Sequence, residues 1–263
     1  QSCPETTYCP PGSSNTTICL AGSYCPVDTS DPIVCPSGYY CPLGSSEPVA
    51  CVLGTYCPEG SEIFTSCPLG WHGSLTSNNT LWSRDDACDE CPPGTYGADP
   101  NRLVCDTCPG GYVCAGTTTT ATPTSIEEHG GFQCTPGHYC PAGSWVEIAC
   151  SGGSYNPDVG SSAASACLVC PADHYQDQDG SSTCLPCSSS STSEANATEC
   201  RCLGLNRAFQ LSDGQCICRS GYEYYNEGGL LVSTVDGAVD CQPIVYERCY
   251  TGEALDADGI CVS

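Results

Sequence analysis

The side chains here that could do chemistry are thiols, imidazoles and carboxylates, and thiols dominate, with 28 cysteines in 263 residues. Two runs, Cys88-x2-Cys91-x13-Cys105-x2-Cys108 and Cys167-x2-Cys170-x13-Cys184-x2-Cys187, approach the spacing that holds a tetrahedral zinc. The gap between the pairs is short for a zinc ribbon. The same cysteines also belong to a longer repeat whose short units contain no Cys-x2-Cys. Disulfides are therefore expected, with no bound metal and no cofactor. His72, His129, His138 and His174 show no ligand spacing, and His72 and His138 fall in or beside an aromatic position of the repeat, where packing is the expected role. Asp177-x-Asp179-Gly180 and Asp256-x-Asp258-Gly259 open like calcium loops but lack the remaining ligands and the terminal Glu, so they read as acidic turns. No serine, histidine and acid are spaced so that one must activate another; the chain is expected not to be an enzyme.

Carbohydrate is the modification these residues invite. Asn15, Asn78 and Asn196 each begin an Asn-x-Thr acceptor between cysteines. Thr117, Thr118, Thr119, Thr120, Thr122 and Thr124 form a Thr-rich insert of the kind that carries O-linked sugars, as does the serine run from 188 to 193. The plain alternative for both is a linker.

These groups are positioned by a repeat. Cys3, Cys19, Cys35, Cys51 and Cys67 recur every 16 residues, with Cys9, Cys25, Cys41 and Cys57 following six behind and Tyr8, Tyr24, Tyr40 and Tyr56 in phase. Gly22, Gly38 and Gly54, three after the leading cysteine, permit a turn with positive φ, and the first unit has Thr6 there. Leu, Ile, Val and Phe make up only 40 of 263 residues and the net charge is −24. That pairing means disorder unless cross-links replace the core. Fourteen bridges at about 2–4 kcal/mol each would do so.

The boundaries follow the cysteines. Residues 1–66 hold four short units, 67–107 two long ones, 108–149 two short-type units around the Thr-rich insert, 150–200 three long ones, and 201–263 a different C-terminal region. Each long unit ends at a short connector, which pairs Cys67 with Cys88, Cys91 with Cys105, Cys150 with Cys167, Cys170 with Cys184, and Cys187 with Cys200. Within the short units, closure of each Cys-x5-Cys and bonding between adjacent units both satisfy parity. The fold class is small and disulfide-rich: an elongated tandem array of cysteine-rich repeats with short hairpins, almost no helix, and repeats contacting mainly their neighbours.

The Cys-Pro-x-Gly-Thr-Tyr runs with Cys-x2-Cys connectors, clearest from Cys88 to Cys108 and from Cys167 to Cys187, resemble ephrin-receptor-like (GCC2/GCC3) cysteine-rich repeats, which are similar to TNF-receptor modules. Cys216-Ile-Cys218-Arg-Ser-Gly-Tyr222 looks like the ending of an EGF-like module. The short tandem units also resemble extracellular proteins of algae and other protists, including the mastigoneme proteins of flagellar hairs. The resemblance implies a loop-rich extracellular protein.

Gln1 at the start, with no signal segment and no apolar run of about 20 residues, reads as the mature part of a secreted chain. Six scattered Arg and no Lys exclude nucleic acid and disfavour membrane surfaces, and no membrane insertion is expected. The expected function is an extracellular structural glycoprotein, a self-assembling subunit of a filament, flagellar hair or coat. The alternative is a ligand-binding ectodomain of a receptor or adhesin. Partners are then further copies of the chain or other extracellular proteins. The assembly contact is expected at Tyr222, Tyr224, Leu230, Leu231 and Val232, in a hairpin of residues 222–225 with 230–235 across Asn-Glu-Gly-Gly.

Overall fold

The computed structural model describes residues 2–74, 81–224 and 236–244, and the backbone of 254–255 and 261–262. Among them the chain builds 14 two-stranded sheets, each formed from strands adjacent in sequence, with an antiparallel register in 13. Helix is confined there to Arg84–Ala87, Ile126–His129 and a 3-10 turn at Ala164–Ala166. Two compact units emerge, residues 1–148 with 158–166, and 149–157 with 167–263.

One repeat shows how the sequence makes the hairpin. After Cys35, the Tyr39 N–H donates to the Pro36 carbonyl at 3.1 Å with Gly38 at φ +85°, a type II turn that favours glycine. Tyr39–Tyr40 then pairs with Val49–Ala50, and the Cys35–Cys41 disulfide closes the turn. A second such turn follows, Ser45 N–H to Pro42 carbonyl at 3.2 Å with Gly44 at φ +76°.

Successive repeats are joined by three backbone hydrogen bonds that recur along the chain. The first-turn Gly N–H donates to the second cysteine carbonyl of the next repeat, Gly22 to Cys41 and Gly38 to Cys57, both 2.8 Å. The second cysteine N–H donates to the following Ser carbonyl, Cys25 to Ser45 at 2.8 Å and Cys41 to Ser61 at 2.9 Å. The second-turn Gly N–H reaches back, Gly44 to Cys19 and Gly60 to Cys35, again at 2.8–2.9 Å. Long units use the same positions: Gly153 to Gln176, Gln176 to Ala197 and Asn196 to Cys170.

Beside these bonds between neighbouring repeats, some turns also meet turns farther along the chain. A Cβ on Gly22 would lie 2.6 Å from the Gly60 carbonyl oxygen, on Gly70 2.3 Å from that of Thr117, and on Gly111 2.4 Å from that of Gly160. In each case the partner turn sits two repeats away. Glycine therefore serves both the positive φ and a backbone contact that no side chain would admit.

Burial confirms where the core lies. Of 25 buried apolar side chains among the described residues, 20 are half-cystines, and the others are Leu81, Ala87, Val113, Pro123 and Tyr175. The chain is a small disulfide-rich tandem-repeat protein in which cross-links take the place of aliphatic packing.

Candidate functional site

Disulfides occupy the thiols that could have held a metal. Cys67 is bonded to Cys88, Cys91 to Cys105, Cys150 to Cys167, Cys170 to Cys184 and Cys187 to Cys200. The short units, left open by the sequence, close internally: Cys3–Cys9, Cys19–Cys25, Cys35–Cys41, Cys51–Cys57, Cys108–Cys114 and Cys134–Cys140. The four sulfurs of each ribbon-like run are thus spread over three different bonds. Cys134, Cys140 and Glu147 cluster, but two of the three ligands are consumed by one disulfide. Asp179 accepts the Gly152 N–H at 2.8 Å and ties a turn; residues 256–259 lie outside the described residues.

The carbohydrate acceptors divide. Asn15 and Asn196 are exposed, and Asn78 lies outside the described residues. In the Thr-rich insert, Thr118 is 0% exposed and its hydroxyl donates to the Gly130 carbonyl at 2.8 Å, so its assignment as an O-glycan site is corrected. Its carbonyl accepts from Gly97 and the Thr117 N–H donates to Cys91, so the start of the insert serves as a repeat turn. Thr122 and Thr124 are exposed, while Thr117, Thr119 and Thr120 are half-buried. The end of the insert leads into Ile126–His129, capped by the Ser125 hydroxyl, which accepts from the Glu128 N–H at 3.2 Å.

The C-terminal region is built differently. Arg207–Gln210 pairs with Gln215–Cys218, bracketed by Cys202–Cys216 and Cys218–Cys241. Arg207 is only 4% exposed; its Nε donates to the Val239 carbonyl at 2.6 Å and one Nη to Cys216 at 2.7 Å. Its guanidinium also stands 5.8 Å from the centre of the Tyr224 ring. Asp236 accepts from the Cys216 N–H at 2.7 Å and from the Ser190 and Ser188 hydroxyls. Burial alone would raise its pKa; the Ser190, Cys216 and Ser188 hydrogen bonds and the Arg207 charge outweigh it and hold the carboxyl below its ordinary value. Nearby, Tyr175 meets Phe209 edge-on at 5.1 Å, and burial first, then Asp177 and Asp213, raises its pKa.

Of the expected assembly residues, Tyr222 lies in Tyr222–Glu223, which pairs with Gln242–Pro243; Leu230, Leu231 and Val232 lie outside the described residues, as does the strand expected opposite. What sequence reasoning missed is a cavity of about 700 Å³ on residues 199–209 and 219, into which Arg201, Arg207 and Arg219 face. Half of the six Arg in a chain with 30 acids line one hollow. That ratio is the signal by which the sequence could have flagged it.

Comparison with known proteins agrees with the repeat architecture. Residues 159–200 match the family described as "Tyrosine-protein kinase ephrin type A/B receptor-like". The chain is 35% identical over 101 residues to mouse and human "Signal peptide, CUB and EGF-like domain-containing protein 3", covering 38% of this chain and 10% of each relative. It is 32% identical over 103 residues to zebrafish "Signal peptide, CUB and EGF-like domain-containing protein 2", covering 38% and 9% respectively. The chain spans about a tenth of the length of the curated relatives it matches. It is an extracellular cysteine-rich repeat protein with an ephrin-receptor-like module, and no described helix is long and apolar enough to cross a membrane.

Proposed function

We propose that this protein is a non-catalytic structural glycoprotein of the extracellular space, a self-assembling subunit of a filament, flagellar hair of the mastigoneme kind, or surface coat. The observation that carries this reading is the hydrogen-bond set that recurs between successive repeats within each compact unit, a construction suited to bearing load and to presenting one surface many times. Asn15, Asn196 and the exposed Thr122 and Thr124 carry glycans in this reading, which keep an acidic chain soluble. The native mass of the oxidised chain, followed against concentration with calcium present, tests it: a mass that climbs with concentration is expected, and a constant single-chain mass rules it out. Deglycosylation should lower the mass of each chain.

A ligand-binding ectodomain is the second reading, favoured by the family description matched at residues 159–200. It requires a chain that stays single and holds a foreign partner.

A further inference from the structure

Two surfaces of the described chain are complementary. The first lies on the second strands of the first three hairpins, Thr17–Ile18, Ile33–Val34 and Val49–Ala50, all exposed. Among the described residues their backbones hydrogen-bond only within their own hairpin, whereas the first strands are engaged by the next repeat, as Tyr24 is by Ser45. Each is thus a free sheet edge, repeated every 16 residues, and Ile18 at 51% and Val34 at 53% exposure present apolar side chains on it. Around it every formal charge is negative: residues 1–83 contain Glu5, Asp28, Asp31, Glu47, Glu59 and Glu62 and no Lys or Arg.

The second surface is the Arg-lined cavity. Arg84 and Arg102 have carboxylates at 3.1 Å and 2.8 Å, but no carboxylate among the described residues pairs with Arg201 or Arg219, and both are exposed. The Arg219 Nε donates to the Arg207 carbonyl at 3.1 Å, which holds that side chain over the hollow. Glu199 is the one carboxylate in the lining, against the two exposed guanidiniums of Arg201 and Arg219. Leu203 and Leu205, 57% and 67% exposed, stand on the rim. Cations with apolar neighbours fit an acidic, apolar edge, and residues 1–66 offer such an edge with no Lys or Arg in it.

We propose that the cavity lined by Arg201 and Arg219 seats the acidic hairpin edge of residues 1–66 from a second copy. This rests on the self-association reading and names its contact. Since the two surfaces differ, the contact is heterologous and leaves one of each free on every pair, so addition continues. Guanidinium–carboxylate pairing also offsets the repulsion between two chains of net charge −24, and association should weaken as salt screens it.

Sedimentation of the full oxidised chain provides the test. The variant Arg201→Glu/Arg219→Glu changes exposed side chains outside every disulfide and should associate at least about tenfold more weakly than the parent. Glu47→Arg/Glu62→Arg should weaken association as well, and an equimolar mixture of the two variants should restore it, seen as mixed-chain species by native mass spectrometry. If the Arg variant associates as the parent does, the cavity is not the contact and the filament reading stands without it. If both variants are weakened but mixing restores nothing, the acidic edge is not the occupant and the proposal falls. If the parent stays single at every concentration, self-association itself fails. If in that case it binds a sulfated oligosaccharide through Arg201 and Arg219, the occupant is a free anionic glycan.

Discussion

The repeats and the C-terminal region solve the same problem, holding together a chain with little aliphatic core, by opposite means. In the repeats the cohesion is written in backbone: glycine turns donate to carbonyls one repeat away and touch turns two repeats away. In residues 201–244 it is written in side chains, with Arg207 bridging Val239 and Cys216, and Asp236 bridging Ser188, Ser190 and Cys216. A backbone device can be copied along a chain; a buried Arg serves one place. The region that departs from the repeat is accordingly where, among the described residues, Arg201 and Arg219 stand without a carboxylate partner.

Removing Arg207 should produce the largest effect. Arg207→Ala leaves the Val239 and Cys216 carbonyls without their donor, at about 1–3 kcal/mol each, or about 4 kcal/mol together. Amide exchange should accelerate around Cys216 while the repeats keep their protection. Gly70→Ala attacks the other device. Its φ of +79° and a Cβ 2.3 Å from the Thr117 carbonyl oxygen should together cost about 3 kcal/mol. Gly12→Ala, at φ +80° with open space around it, should cost about 1 kcal/mol, and the difference isolates the contact between turns.

Acid should separate the two regions next. The Asp236 pKa is lower in the folded chain than in the unfolded one, so its stabilisation is complete above the ordinary carboxylate value, about 3.9, and is lost as pH falls through the lower folded value. Exchange at Cys216, whose N–H donates to Asp236, should therefore rise at low pH before that at Gly94 or Gly111, whose carbonyl partners do not titrate. The smallest change is a gain: Thr6 is a β-branched residue at φ 69° in the turn where the other short units have glycine, and Thr6→Gly should stabilise the first repeat by about 1 kcal/mol in thermal unfolding.

Legibility followed the same division. The first turns could be read because Gly22, Gly38 and Gly54 hold one position after the leading cysteine, and the long-unit pairings because each loop runs up to a connector such as Asp89-Glu90. Closure of Cys35 on Cys41 stayed open because parity is indifferent to whether bonds stay within units or link them. Contact between turns two repeats apart was hidden, since a period states spacing and says nothing of how repeats are rotated. The same turn geometry is supplied by Asp28, Asn101, Asp173 and Asn196, all at positive φ, and these departures mask the repeat. Thr118 misled because a threonine run looks alike whether its hydroxyls face solvent or a carbonyl. The Arg cavity was missed because Arg201, Arg207 and Arg219 look scattered until the hairpin joining Arg207 to Cys218 brings them together.

A disulfide map of the unreduced chain tests most directly the claim that each repeat is a closed unit joined to its neighbours without a disulfide between them. Proteolysis and mass spectrometry should recover Cys19–Cys25, Cys35–Cys41, Cys67–Cys88 and Cys108–Cys114 as local pairs, with Cys202–Cys216 and Cys218–Cys241 closing the C-terminal region. Peptides linking Cys25 to Cys35, or Cys88 to Cys108, would contradict it.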